Sequence, residues 1–363
     1  MSQTTPSLYE HPTDVLAALS AWQAGGMNAA LIVLTNTEGG GVRAAGAMMA
    51  VSETGKTAGY LSGGCIDADV AAQAQACLTT QQSAQLRYGA GSPFIDIKLP
   101  CGGAIDVLII PSPDADIIRD ASRALTARNA ITLACSASGA VTLHNDVSQT
   151  GWQGETFNIA CTPKLRLRIA GRGADCLALT RLAVASGIAV ILQTPDESDA
   201  VNAHREGAEC VEHLTSTHDL PITSDDPWTA FALMFHDEHW EASLLVQALN
   251  GPAFYIGAVG SQKTHARRTS ALLAQSIPVS TIKRVHAPIG LIPSMRNATG
   301  VAISTLAEIT DHFENRPTPP EHRTALVLLA AGASSRYEAG DKLLADLDGV
   351  SILQRTATLA NGK

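Results

Sequence analysis

Basic charge is what this chain most lacks. Lys and Arg number 25 against 34 Asp and Glu, which gives a formal net charge of −9 over 363 residues, and no basic stripe gathers anywhere. A nucleic-acid partner needs such a field to attract phosphates, so the composition argues against nucleic acid. Long apolar runs are missing too, and none reaches the length that crosses a bilayer. The segment Met1 to Pro12 is polar and acidic, without the basic start and apolar stretch of a secretory leader. A cytoplasmic protein with no membrane partner is the expectation. Cysteine is sparse and odd in number, with seven residues scattered at 65, 77, 101, 135, 161, 176 and 210, which excludes the paired framework of a small secreted domain and favours reduced thiols. Aromatic residues make up only 4%, yet a hydrophobic fraction of 45% still supplies two or three domains with sizeable cores.

Against this background two glycine–cysteine signatures stand out, Ser62-Gly63-Gly64-Cys65 and Cys101-Gly102-Gly103. Glycine lets backbone N–H groups close on an anion and reaches the positive φ from which anion-holding nests are built. A thiol beside such a nest can meet soft sulfur or metal. The alternative is that the glycines mark turns and the cysteines are small buried hydrophobes. Helical spacing is expected over 14–23 and 66–78, and strands over 29–35 and 43–51. Cys65 then falls at a helix start, where amide donors and the dipole lower a thiol pKa or hold a phosphate. Further on, strands are expected over 94–99 and 104–110, with Cys101-Gly102-Gly103 in the bend between them. A helix near 114–127, weaker strands at 132–135 and 141–144, and a polar bridge near 149–156 complete this half.

The second half opens with a strand over 165–170, the tight turn Gly171-Arg172-Gly173-Ala174-Asp175-Cys176, a helix over 177–186 and a strand over 188–193. This is the order of a Rossmann-type nucleotide fold, with phosphate on the first helix N-terminus. It is a poor match to the NAD fingerprint, because Cys176 replaces the third small residue and Thr194 stands where an acid for ribose hydroxyls is expected. His236 and Asp237 follow the apolar run 231–235, at a strand end where α/β folds place ligands. Three readings stay open for them: substrate or cofactor contact, a metal with His239 and Glu241, or a solvated helix start. Another buried strand over 254–259, carrying Gly257, ends in Gly260-Ser261 ahead of Lys263, Arg267 and Arg268. That is a second phosphate-friendly helix start or an ordinary solvated helix face.

Taken as an ordered series, these motifs resemble the XdhC/CoxI family of xanthine dehydrogenase accessory proteins, from Gly39 to about Thr310. The likeness rests on Arg43 with Gly46-Ala47-Met48, Gly63-Gly64-Cys65-Ile66-Asp67 and Cys101-Gly102-Gly103. It continues through Gly171-Arg172-Gly173, His236-Asp237, 255–261, Pro288-Ile289-Gly290-Leu291 and Ala307-Glu308-Ile309. The family's glycine turn usually continues with histidine where Asp175 stands here. The resemblance implies binding of molybdenum cofactor, care of its terminal sulfido form and delivery to an apo-enzyme of the xanthine dehydrogenase type, with NAD(P) disfavoured. On it, Cys65 and Cys101 become the reactive thiols, and Arg43, Gly63, Gly64, Gly102, Gly103, Gly171, Gly173, His236, Asp237, Gly257, Gly260 and Ser261 the cofactor contacts. A cysteine desulfurase as sulfur source and a homodimer are left open.

After the proline-rich stretch 314–320, a strand over 324–329 and the loop with Gly332 and Arg336, followed by Lys342, resemble the opening of the MobA-like nucleotidyltransferases. About forty residues cannot complete such a domain. The expected architecture is α/β throughout: an XdhC/CoxI-type domain (1–112), a connecting segment (113–163), a Rossmann-like parallel-sheet domain (164–312), a linker (313–322) and an incomplete nucleotidyltransferase start (323–363). The competing functions are an NAD(P)-dependent oxidoreductase and a fragment of a molybdenum cofactor cytidylyltransferase fusion.

Overall fold

The computed structural model describes residues 10–39, 43–64, 66–92, 102–316, 346–347 and 350–351. The chain divides into two compact units, 1–319 and 320–363. In the second unit only β16 (Asp346–Leu347) and β17 (Val350–Ser351) are described, paired antiparallel. Gly332, Arg336 and Lys342 of the nucleotidyltransferase-like start lie outside the described residues.

The larger unit begins α1 (Pro12–Ala24), β1 (Ala29–Glu38), β2 (Met48–Ser52), β3 (Thr57–Gly59), α2 (Asp67–Thr80), β4 (Ala84–Gly89) and β5 (Ala104–Pro111). The five strands form one antiparallel sheet in the order β3-β2-β1-β5-β4. β1 is apolar on both faces rather than alternating because both faces are covered. Leu31 and Val33 point into a core shared with Val15, Leu16 and Leu19 of α1, while Ala30, Ile32 and Leu34 meet Val70 and Ala74 of α2.

The segment expected as a connection is itself folded. It holds α3 (Ala115–Thr126), β6 (Ile131–Ser136), β7 (Val141–His144), β8 (Gly151–Gln153) and β9 (Thr156–Cys161), the strands forming an antiparallel sheet in the order β7-β6-β9-β8. Leu133, Cys135, Phe157 and Ile159 enter the same core as α1 and β1. The polar stretch expected as a bridge is the β8–β9 hairpin, where Trp152 meets Phe157 edge to face at 5.3 Å.

The rest of the unit runs β10 (Arg166–Gly171), α4 (Ala174–Ala185), β11 (Ala189–Thr194), α5 (Glu197–Glu206), β12 (Cys210–His213), β13 (Thr229–Met234), α6 (Glu238–Asn250), β14 (Tyr255–Ala258), α7 (Gln262–Ala274), α8 (Val279–Ile282), β15 (Val285–His286) and α9 (Ala298–Glu314). All six strands are parallel, in the order β12-β11-β10-β13-β14-β15. Numbered within this sheet, that is 3-2-1-4-5-6, the doubly wound dinucleotide-fold order, with its topological switch between β10 and β13. The expected Rossmann-like sheet is therefore present in full.

The two halves of the unit are joined by charge. Lys164 Nζ reaches Asp14 Oδ1 at 2.6 Å, and Arg128 grips Asp226 with two nitrogens while donating to the Lys164 carbonyl at 3.1 Å. Here His11 caps α1, its Nδ1 accepting from the Thr13 amide at 3.2 Å. Burial, then Lys164, with Arg316 and Arg43 adding to them and Asp14 opposing, lowers the His11 pKa to about 4. The unfolded chain then binds the extra proton first. The stability His11 contributes is present in full above pH 6.5 and is lost as pH falls towards 4. At about 1.4 kcal/mol per tenfold change in proton affinity, the loss is at most about 3.5 kcal/mol. His11→Asn keeps a capping oxygen and should flatten the fall of the urea midpoint over that window. An unchanged slope would assign the acid sensitivity elsewhere.

Candidate functional site

At the switch point, the carboxyl ends of β10 and β13 bring Gly171, Arg172, Gly173, His236 and Asp237 together. The apolar strands make this so: Leu167 and Ile169 of β10 and Ala230, Ala232 and Met234 of β13 are buried in one core, leaving the polar residues to emerge beyond the strand ends. Arg172 Nη2 pairs with Asp237 Oδ2 at 3.1 Å, and His236 Nε2 lies 3.6 Å from Asp175 Oδ2. Asp237 also caps α6, accepting from the His239 amide at 3.0 Å. The amide of Gly173 at the start of α4, where a dinucleotide fold seats pyrophosphate, instead donates to Asp199 Oδ2 of α5 at 2.5 Å. A fixed carboxylate thus holds a donor that a bound phosphate would use. Thr194 is buried at the end of β11, and its hydroxyl accepts from the Asp196 amide at 3.2 Å.

In the first half the turn before α2 is also satisfied internally. Gly63 and Gly64 have φ of +71° and +110°. The amides of Leu61, Ser62 and Gly64 converge on the Asp67 carboxylate at 2.9, 3.1 and 2.6 Å, and the Ile66 amide donates to Ser62 Oγ at 3.0 Å. The expected nest exists, and the first-turn acid of α2 fills it. Gly102 has φ of +70° and Gly103 leads into β5, its carbonyl accepting from the Ala90 amide at 3.1 Å. A Cβ on Gly39 would lie 3.2 Å from Gly103 Cα, so the chain leaving β1 passes directly against this glycine pair. Arg43 lays its guanidinium 4.7 Å from the centre of the Tyr60 ring and donates to the Glu10 carbonyl at 2.5 Å. Cys65, Cys101 and the expected strand 94–99 lie outside the described residues. The described thiols are free: Cys77, Cys135, Cys161 and Cys176 are buried and Cys210 is exposed. Burial pushes Cys135 and Cys161 up to about 12, so they are poor nucleophiles.

Beyond β14, Ser261 caps α7, its hydroxyl accepting from the Thr264 amide at 3.2 Å. Arg268, buried, makes a two-pronged pair with Glu241 at 2.8 and 2.6 Å, and Arg267 pairs with Glu238. Two of the three basic residues expected to attract phosphate are therefore neutralised from α6. Gly260 packs beside Thr264, and Gly257 is buried within β14.

One cluster escaped the motif reading. His286 at the end of β15 and Glu308 and His312 of α9 place one potential ligand atom each within 4.8 Å of one another. Burial first, then His312, lowers the pKa of His286, while Glu308 opposes. The signal that could have found it is the spacing Glu308 to His312, which puts two ligands on one helix face.

The family model described as the XdhC and CoxI family matches residues 22–89, and the XdhC Rossmann domain matches 167–309. Over 302 residues the chain is 30% identical to the molybdenum cofactor insertion chaperone PaoD of Escherichia coli (strain K12), covering 83% of this chain and 88% of PaoD. In fold it is similar to a crystal structure described as a xanthine dehydrogenase from Bacillus halodurans, with a TM-score of 0.68 and 22% identity over 84% of this chain and 97% of the other.

Proposed function

Since the chain belongs to the XdhC and CoxI family, we propose that it is a molybdenum cofactor maturation chaperone, which binds the molybdopterin-borne metal as cargo and delivers it to a molybdoenzyme of the xanthine dehydrogenase type. The observation that carries this is the 30% identity to a molybdenum cofactor insertion chaperone along 88% of that protein. The residues offer matching chemistry. Molybdopterin carries a phosphate and a dithiolene-held metal, which call for hydrogen-bond donors and for soft thiolate neighbours. Cys65 and Cys101 are the thiols assigned to the cargo. Gly63-Gly64 and Gly102-Gly103 let the backbone close beside them, and Arg43 is the cation for the phosphate.

At the switch point, Gly171, Arg172, Gly173, His236 and Asp237 form the second contact surface, with Gly257, Gly260 and Ser261 on the neighbouring strand end. No described helix is long and apolar enough to cross a membrane, in keeping with a chaperone working in the cytoplasm. A cysteine desulfurase supplying sulfur, and a homodimer sharing the cargo, are the finer parts of this proposal.

The test is anaerobic titration of the full chain with molybdenum cofactor, scoring molybdenum and pterin retained after gel filtration. Stoichiometric retention is expected. It should weaken at least about tenfold, or about 1.4 kcal/mol, in Cys65→Ser or Cys101→Ser. No retention alongside tight nicotinamide nucleotide binding would replace this reading with the oxidoreductase.

A further inference from the structure

We propose that His286, Glu308 and His312 form a binding site for a divalent transition-metal ion of the Zn2+ class, separate from the cargo site and independent of the chaperone reading. Two elements of the chain build it, β15 and α9. Glu308 and His312 are four residues apart on α9, so their side chains project from one face and can chelate together. His286 is brought to them by the last strand of the parallel sheet, and its Nδ1 lies 4.0 Å from Glu308 Oε1. The imidazoles of His286 and His312 touch edge to face with ring centres 4.4 Å apart.

The second carboxylate oxygen of Glu308 is already fixed. Tyr255 donates its hydroxyl to Oε2 at 2.8 Å, and the Gly290 amide donates to the same atom at 2.5 Å. That leaves Oε1 free of these bonds, on the side of His286. Tyr255 also stacks on His286, ring centres 4.9 Å apart and 16° from parallel. Outer partners that lock the orientation of a ligand carboxylate and an imidazole are the usual companions of a metal site. Gly257 is part of the device, since a Cβ there would come within 2.6 Å of the Tyr255 hydroxyl and 2.5 Å of Ile289 Cδ1. Two motifs the cargo site leaves unexplained, 288–290 and 307–309, thus converge on one cluster, with Tyr255 from the neighbouring strand.

The donor set suits the ion. Two imidazoles and one carboxylate leave a position for water, as in three-ligand zinc sites. Ligand atoms around tetrahedral zinc stand about 3.3 Å apart at bond lengths near 2.1 Å, so the three must close by at most about 1.5 Å, within reach of side-chain rotation. The Glu308 side chain is 14% exposed and that of His286 34%, which gives the ion a path from solvent on the His286 side.

The experiment is equilibrium dialysis of the metal-free full chain against micromolar ZnCl2, with bound zinc measured by mass spectrometry and repeated in three variants. About one zinc per chain is expected. Glu308→Gln keeps an oxygen for the Gly290 amide and Tyr255 hydroxyl, and should weaken zinc binding at least about tenfold with the thermal midpoint of the zinc-free protein preserved. The double variant His286→Asn/His312→Asn should abolish retention. Cys65→Ser/Cys101→Ser should retain it, separating this site from thiol-bound zinc. The proposal is overturned if the wild type retains no zinc, or if the histidine and glutamate variants retain as much as the wild type.

Discussion

Replacing Asp225 by alanine is expected to lower the unfolding free energy by about 3–5 kcal/mol, the usual cost of stranding one partner of a buried ion pair. Arg168 sits in the middle of β10, the strand whose end carries the switch-point turn. Its Nε and Nη2 donate to Asp225 Oδ1 and Oδ2 at 2.9 and 2.6 Å, and its Nη1 donates to Gln193 Oε1 at 2.9 Å. Both charged side chains are only 1% exposed, and the guanidinium lies 4.1 Å from the centre of the Phe231 ring. Without the carboxylate, a cation remains in a site that water cannot reach. Urea unfolding should show a lower midpoint with an unaltered slope. The double replacement Arg168→Met/Asp225→Leu removes both charges and should recover most of the loss, because the pair itself contributes little beyond cancelling its own desolvation. A cost below about 1 kcal/mol for the single variant would mean that solvent reaches the guanidinium.

The second large effect is expected at Gly59, in the first half. This residue ends β3 with φ of +83°, and a Cβ would land on the Met48 carbonyl oxygen, 2.9 Å from Val15 Cγ2 and 3.1 Å from Met49 Cα. Two of these obstacles are backbone, which cannot swing aside. Gly59→Ala combines about 1–2 kcal/mol for the left-handed conformation with about 1–3 kcal/mol for overpacking. The sum is about 2–5 kcal/mol, read as a fall in thermal midpoint of roughly 3–8 °C for a unit of this size. Gly154 is the control. It has φ of +62° and nothing within 4 Å of an added Cβ, so Gly154→Ala should show the conformational part alone. Equal losses at the two positions would rule out the steric explanation.

Much of the fold was legible because local pattern and tertiary role agree in it. β10, α4 and β11 read directly, since a buried parallel strand is a continuous apolar run and a tight glycine turn precedes the helix. β4 did not read, because only Tyr88 of its six residues is buried and its partner, β5, begins 15 residues later. The β8–β9 hairpin was hidden by its polar composition; only pairing against β6 and the Trp152–Phe157 contact give it a core. At the site, the sequence marked where glycine turns meet helix starts but not what fills them.

What the sequence determined by itself is therefore the family, the α/β class, the Rossmann-like half and the turns at which backbone donors gather. These follow from periodicity, glycine placement and motif order, all of which act over a few residues. Tertiary structure alone decided the rest. It assigned the Gly173 amide to an aspartate 26 residues away, neutralised Arg268 and Arg267 from α6, and joined His286 to Glu308 and His312 across two elements. Each of these depends on which side chains distant chain segments bring within a few ångströms, and charge pairing at that range outweighs any preference a residue carries in its own neighbourhood.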